Sequence, residues 1–290
     1  MHSEENELKI PKIHAIRTGL VQVRRPQMEA RGKGISRITN MLFDDEWSVW
    51  NPIYSWLIEH DEGLILVDTG ESCRVHESGH HPSWHPFYRR AVRFSVHPDE
   101  EIGPQLRALG VAARDIRQVV LTHLHTDHAG GLIHLTGAKV WVSATELKRA
   151  GGLGGKVQGY LPHRWPKWWN PEPIHFGPRR VGQFQQSMPL TERGDVLVVP
   201  TPGHTPGHVS VVVLGDPSFF LAGDVSFTQQ LLLDGKVGGV TLDDASALET
   251  QARILALGAE RPLVYLPSHD PDAEERLKQQ TRLPNRARDG

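Results

Sequence analysis

Residues 119–131 read VVLTHLHTDHAGG. An apolar, β-branched run delivers His123, His125, Asp127 and His128 within six positions and then passes into Gly130-Gly131. Alternate residues of an extended segment project to one side, so His123 and His125 can reach one cation together. Asp127 and His128 then turn toward a second position as the chain enters a helix, expected from Asp127 to about Leu135. This spacing suits two adjacent metals. Four ligands are too few to close two sites, so further donors are expected at strand ends elsewhere.

Such donors occur. TPGHTPGH (201–208) puts His204 in a Pro/Gly turn after VLVVP, FFLAGD (219–224) ends a strand at Asp224, and LVYLPSHD (263–270) ends another at His269. Each follows an apolar run and precedes turn residues, the place where a rigid scaffold presents functional groups. Five histidines and two carboxylates suit zinc and also tolerate iron, manganese or cobalt. The lone Cys73 excludes both a cysteine-rich zinc cage and an intramolecular disulfide. His208, at the end of its motif, reads as a residue that supports the ligands or starts a strand.

The rest of the chain is an ordinary globular composition, 290 residues with 38% hydrophobic and 23% charged side chains, which allows one large domain. With 32 Lys and Arg against 34 Asp and Glu there is no global cationic field, so neither nucleic acid nor a membrane surface is expected as partner. The opening MHSEENELKI lacks the apolar core of a signal peptide, and no apolar run is long enough to span a bilayer; the expectation is a cytoplasmic protein. Residues 1–10 and 278–290 are polar and aperiodic, which predicts flexible tails on either side of a single domain over 11–277.

Short β-rich segments fill that domain, among them IHAIR (13–17), IYSWLIEH (53–60), LILVD (64–68), KVWVS (139–143) and VSVVVLG (209–215). The clearest helix is 244–257, capped by Asp243 or Asp244 and ended by Gly258; another lies near 100–109. Many short strands with interspersed helices predict an α+β fold with two packed sheets flanked by helices, a four-layer αββα sandwich. Two stretches, 71–98 and 151–178, fit neither period and are expected as loop insertions: lids, binding loops or interface segments. The first carries His76, His80, His81 and His85 as loop decoration and could be the arm of a homodimer. In the second, His163 and His175 read as solvated.

These motifs resemble the metallo-β-lactamase superfamily. The likeness extends from about residue 52 to 270 and rests on LILVDTG (64–70), THLHTDHAGG, TPGHTPGH, FLAGD and LPSHD. Within the superfamily the compact order is most similar to the N-acyl-homoserine lactonases, which open the lactone ring of bacterial quorum-sensing signals. The resemblance implies that His123, His125 and His204 bind one divalent ion, that Asp127, His128 and His269 bind another, and that Asp224 bridges them. It implies that Asp68 orients the metal loop, as ligand histidines require. Two such ions lower the pKa of water between them, so hydroxide would attack the ester carbonyl, with Asp127 passing a proton to the departing alkoxide. Glyoxalase II-type thioesterases share the motifs and remain an alternative, as does hydrolysis of another ester or lactone such as a pyridoxolactone-type ring. A mononuclear iron oxidoreductase and a catalytically silent binding module compete less well, because a complete second ligand set is present.

One position departs from the pattern. Lactonases of this type often place a tyrosine three residues after the bridging aspartate, where its hydroxyl donates to the substrate carbonyl; this chain has Phe227 there. Tyr54, Tyr160 or His163 are candidates to replace that donor from other loops. The stretches 47–52 and 161–170 hold Trp47, Trp50, Trp165, Trp168 and Trp169, five of the eight tryptophans, which could line a pocket for an acyl chain or equally cover the core.

Overall fold

Two of the apolar runs, IHAIR and IYSWLIEH, sit in a long antiparallel pair, β1 (Lys12–Val23) and β2 (Asn51–His60), with Ile13 opposite Ile58 and Ala15 opposite Trp56. β2 is buried along almost its whole length, which is why its sequence is a continuous apolar run and not an alternating one. In the computed structural model, which describes residues 11–284, this pair is joined by β3 (Gly63–Val67), β4 (Val92–Ser95), β5 (Ile116–Val120), β6 (Lys139–Ser143) and β7 (Glu172–Ile174). The seven strands lie in the order β4-β1-β2-β3-β5-β6-β7. A second sheet, in the order β12-β11-β10-β9-β8, is built from β8 (Met188–Pro189), β9 (Val196–Pro200), β10 (Val209–Val213), β11 (Ser218–Gly223) and β12 (Leu263–Pro267).

The helices are α1 (Arg25–Met28), α2 (Gly34–Phe43), α3 (Pro86–Arg90), α4 (Ile102–Ala108), α5 (Thr126–Ala129), α6 (Ala144–Ala150), α7 (Gly152–Val157), α8 (Gln229–Leu233), α9 (Asp244–Glu260) and α10 (Ala273–Gln279). Three cores account for four layers. Trp56, Ile58, Ile65 and Val67 of the first sheet meet Val198, Val211, Leu221 and Leu266 of the second. On the outer face of the first sheet Leu57, Leu66 and Val119 pack with Ile102 and Leu106 of α4. On the outer face of the second, Val199, Val212 and Phe220 pack with Ile254 and Leu257 of α9. The expected αββα sandwich is therefore present. Among the described residues no helix is long and apolar enough to cross a membrane.

Several local expectations are corrected. The two aperiodic stretches supply the edge strands of the first sheet, β4 from 71–98 and β7 from 151–178. Strands of four and three residues are too short to show an alternation, and Pro173 within β7 is tolerated because an edge strand leaves one side unpaired. The helix expected over 127–135 is split into α5 and a 3₁₀ segment, Gly130–His134; there Gly131 packs so closely on Thr69 that a Cβ would strike its carbonyl. α9 continues through Gly258 to Glu260, with the Asp243 side chain accepting from Ser246 N–H at its start. At the C-terminal end α10 reaches Gln279, and buried Leu283 donates its N–H to Leu263, so ordered chain extends past residue 277. The tail expected at 1–10 lies outside the described residues.

Candidate metal centre

The donors gather at one end of the sandwich, where loops leaving both sheets meet. β5 ends at Val120, so His123 and His125 lie beyond the strand; loop geometry, not strand alternation, brings them together. That loop is tied across the sandwich: Val209 N–H donates to the carbonyl of Thr122 at 2.9 Å, and Thr122 N–H donates to Asp68 Oδ1 at 2.8 Å. His125 stands at the N-cap of α5, which places Asp127 and His128 in its first turn. His204 occupies the turn between β9 and β10, Asp224 follows β11, and His269 follows β12. Gly223, with φ of +57°, delivers Asp224; a Cβ there would meet His208 Nε2 and Thr122 Oγ1.

All seven predicted donors converge. His123 Nε2 and His204 Nε2 approach His125 Nδ1 to 3.0 and 3.1 Å. Asp127, His128 and His269 form a second group able to hold an ion. Asp224 stands between them: Oδ2 faces His204 Nε2 at 3.5 Å and His123 Nε2 at 3.9 Å, whereas Oδ1 faces His128 Nε2 at 3.2 Å and His269 Nε2 at 3.3 Å. Both His128 Nε2 and Asp224 Oδ1 are buried without a hydrogen-bond partner. Buried polar atoms ordinarily find one, and two orphans turned toward each other within a nitrogen and oxygen donor set fit a divalent cation.

The two groups of rings are shifted in opposite directions. Burial, with His128, His125 and His204 nearby, holds the His123 imidazole well below its ordinary value. Burial does the same to His204, against the pull of Asp224. That direction favours the neutral rings, the form that offers a lone pair to a metal. Against burial, Asp224 and Asp68 push His128 well above its ordinary value; His128 and His269 in turn hold the Asp224 carboxyl well below its own.

Supporting groups fix the rings. Asp68 is fully buried in the left-handed region, φ +59°, a conformation that costs a non-glycine residue energy and that its contacts here maintain. Its Oδ2 accepts from His128 Nδ1 at 2.7 Å and from the Thr122 hydroxyl at 2.9 Å. His269 Nδ1 donates to the Pro52 carbonyl at 2.9 Å. His208 Nε2 accepts from Asp224 N–H at 3.0 Å, and burial drives its pKa down to about 3.

The other singled-out residues separate. Phe227 lies beside the donors, its ring 5.4 Å from that of His269, in an apolar cluster with Ile53, Phe87, Tyr88 and Phe94. Tyr160 is buried with its hydroxyl donated to Glu146 at 2.7 Å, and Tyr54 directs its hydroxyl to Glu274 at 3.4 Å, so neither presents a free donor to the metal cluster. His163 is exposed. Trp165, Trp168 and Trp169 pack against the core on the outer face of the first sheet, Trp47 is held between the guanidiniums of Arg24 and Arg93, and Trp50 is exposed. The histidines of 71–98 are not all decoration. His80 and His85 are buried, and His81 stacks on Tyr88 at 4.1 Å.

Sequence reading passed over the residues that lock this end together. Successive carbonyls of one segment take three side chains: Val157 from His85 Nε2, Gln158 from His125 Nε2 and Gly159 from the Tyr88 hydroxyl at 2.6 Å. The two insertions thereby clasp each other beside a donor histidine. Thr122 and Thr205 lie inside the motifs and could have been noticed there; Tyr88, Glu71 and Glu146 carry no local signal.

Comparison with known proteins agrees with this architecture. A probable metallo-hydrolase of Mycobacterium tuberculosis is 31% identical over 74% of this chain and 74% of its own length. An N-acyl homoserine lactonase of Bacillus thuringiensis is 28% identical over 77% of this chain and 83% of its own. Among solved structures, an N-acyl homoserine lactone hydrolase with N-hexanoyl-L-homoserine at its catalytic metal centre superposes with a TM-score of 0.71 at 22% identity, covering 92% of this chain and 96% of that one. The family model for the metallo-beta-lactamase superfamily matches residues 49–269. Its span ends on the last candidate donor histidine and takes in every element that builds the centre; the chain belongs to the metallo-beta-lactamase superfamily, as a metal-dependent hydrolase.

Proposed function

We propose that the protein holds two divalent ions, zinc in the first instance, and hydrolyses the lactone ring of N-acyl-homoserine lactones. The position of Asp224 carries this reading: its two oxygens face two different donor groups, which suits a ligand that would be shared by two ions. His123, His125 and His204 would hold one ion and Asp127, His128 and His269 the other. Ions bound there would supply an acidified water and polarise the ester carbonyl.

The chain's own residues supply the rest. Asp224, kept anionic, offsets positive charge at the centre. Asp127 has a more exposed carboxylate than Asp224. During hydrolysis water oxygen joins the ring carbonyl carbon, the ring C–O bond breaks, and the proton released reaches the departing alkoxide through Asp127. The partly buried Phe87, Phe94 and Phe227, next to His269, offer a surface for an acyl chain. The Bacillus lactonase likeness points the same way.

A second reading, hydrolysis of another lactone, ester or thioester, draws on Phe227, which has no hydroxyl to donate to a substrate carbonyl. Hydrolysis assays on metal-counted protein separate the two. Turnover of short- and long-chain acyl-homoserine lactones with two ions per chain supports the first. Two bound ions without lactone turnover, but with turnover of S-lactoylglutathione or a simple ester, supports the second.

A further inference from the structure

Glu146 lies in the first turn of α6 and is fully buried. Its Oε1 accepts from Leu124 N–H at 3.2 Å and from the Tyr160 hydroxyl at 2.7 Å; its Oε2 accepts from the Thr205 hydroxyl at 2.8 Å. Leu124 stands between His123 and His125, and Thr205 follows His204. Tyr160 pairs in a β-bridge with His125, and its neighbour Gln158 accepts from His125 Nε2. One carboxylate is therefore tied to every segment that bears a donor of the three-histidine group. Among the described residues it makes no hydrogen bond to the side chains of Asp127, His128 or His269.

The charge arithmetic is equally one-sided. A buried carboxylate facing only neutral donors is costly unless a cation lies near, and among the described residues no lysine or arginine forms an ion pair with Glu146. The Asp127 group contains an anionic donor of its own, whereas the three-histidine group brings only neutral rings and its share of Asp224.

We infer that Glu146 is a positioning residue and outer counter-charge for the three-histidine half of the centre alone, so that the two halves are organised by different carboxylates and can be unloaded separately. This rests on the dinuclear reading above. It accounts for a buried acid that catalysis does not otherwise use, and it gives Tyr160 and Thr205 a common purpose.

The test is zinc affinity by chelator competition on the full chain, with cobalt substitution as a spectroscopic marker. His204→Ala and His269→Ala record the signature of losing each half. Glu146→Gln is expected to weaken one of two zinc affinities about ten- to a hundredfold, with the cobalt spectrum changing as in His204→Ala, and to leave the other within about threefold. Thr205→Val, which deletes one hydroxyl link, is expected to move the same site less, and decides the matter should Glu146→Gln not fold. Equal weakening of both sites, loss with the His269→Ala signature, or no change overturns the inference while leaving two ions in place. A parent protein that binds fewer than two zinc ions overturns the dinuclear reading, and this inference falls with it.

Discussion

Asp68 Oδ2 lies 2.7 Å from His128 Nδ1, both side chains buried, and the same oxygen takes the Thr122 hydroxyl beside His123. A single acid thus sets the ring orientation of one donor and, through Thr122, borders another. Asp68→Asn keeps the volume but turns an amide N–H toward a ring nitrogen that must itself donate. Metal affinity is expected to fall about ten- to a hundredfold, with kcat/KM following at limiting metal and recovering in part when metal is raised. Full activity at low metal would show that the contact is dispensable.

Phe227→Tyr adds a hydroxyl next to His269. If acyl lactones are substrates, a donor toward charge developing on the ring carbonyl raises kcat more than it changes KM, by up to about tenfold. Steady-state kinetics on one lactone decide this, and a change confined to KM would assign the position to binding.

The clasp between the insertions is testable without substrate. Tyr88→Phe deletes the hydroxyl that donates to Gly159, a partly buried bond worth about 1 kcal/mol. Melting is expected a few degrees lower, and limited proteolysis is expected to cut first within 71–98.

Glu71 makes the pH dependence specific. Burial, aided by Asp127, pushes its carboxyl up to about 8, against the Thr126 hydroxyl and the Ser72 N–H. The folded state then holds a proton that the unfolded chain releases near its ordinary value of 4.5, so stability declines as pH rises from about 4.5 to about 8 and levels beyond. Glu71→Gln removes that contribution. Thermal unfolding across this range should be flatter in the variant, and relatively more stable at pH 8.

Trp168→Ala and Trp169→Ala are expected to lower stability by about 2–4 kcal/mol through lost packing on the outer core. KM for long- and short-chain substrates should shift alike. A selective rise for long chains would place these rings in the acyl path instead.

What was legible in the sequence follows from locality. The seven candidate donors stand in short motifs at the ends of apolar runs, because a rigid strand end is where a side chain can be aimed, so type and spacing singled out the residues that the fold brings together. The layer architecture was legible for a related reason: β2, β10 and β11 are buried on both faces and must be apolar throughout. Edge strands β4 and β7, by contrast, pair on one side and leave too few residues for a pattern. Only the tertiary structure decided that Glu146, Tyr88 and Glu71 belong to this centre, since each is a single residue brought in from a distant segment by packing. It alone turned Trp168 and Trp169 to the outer core and committed the Tyr160 hydroxyl to Glu146. Identity and spacing specify what a residue can donate; burial and neighbours across the chain specify where that donation goes.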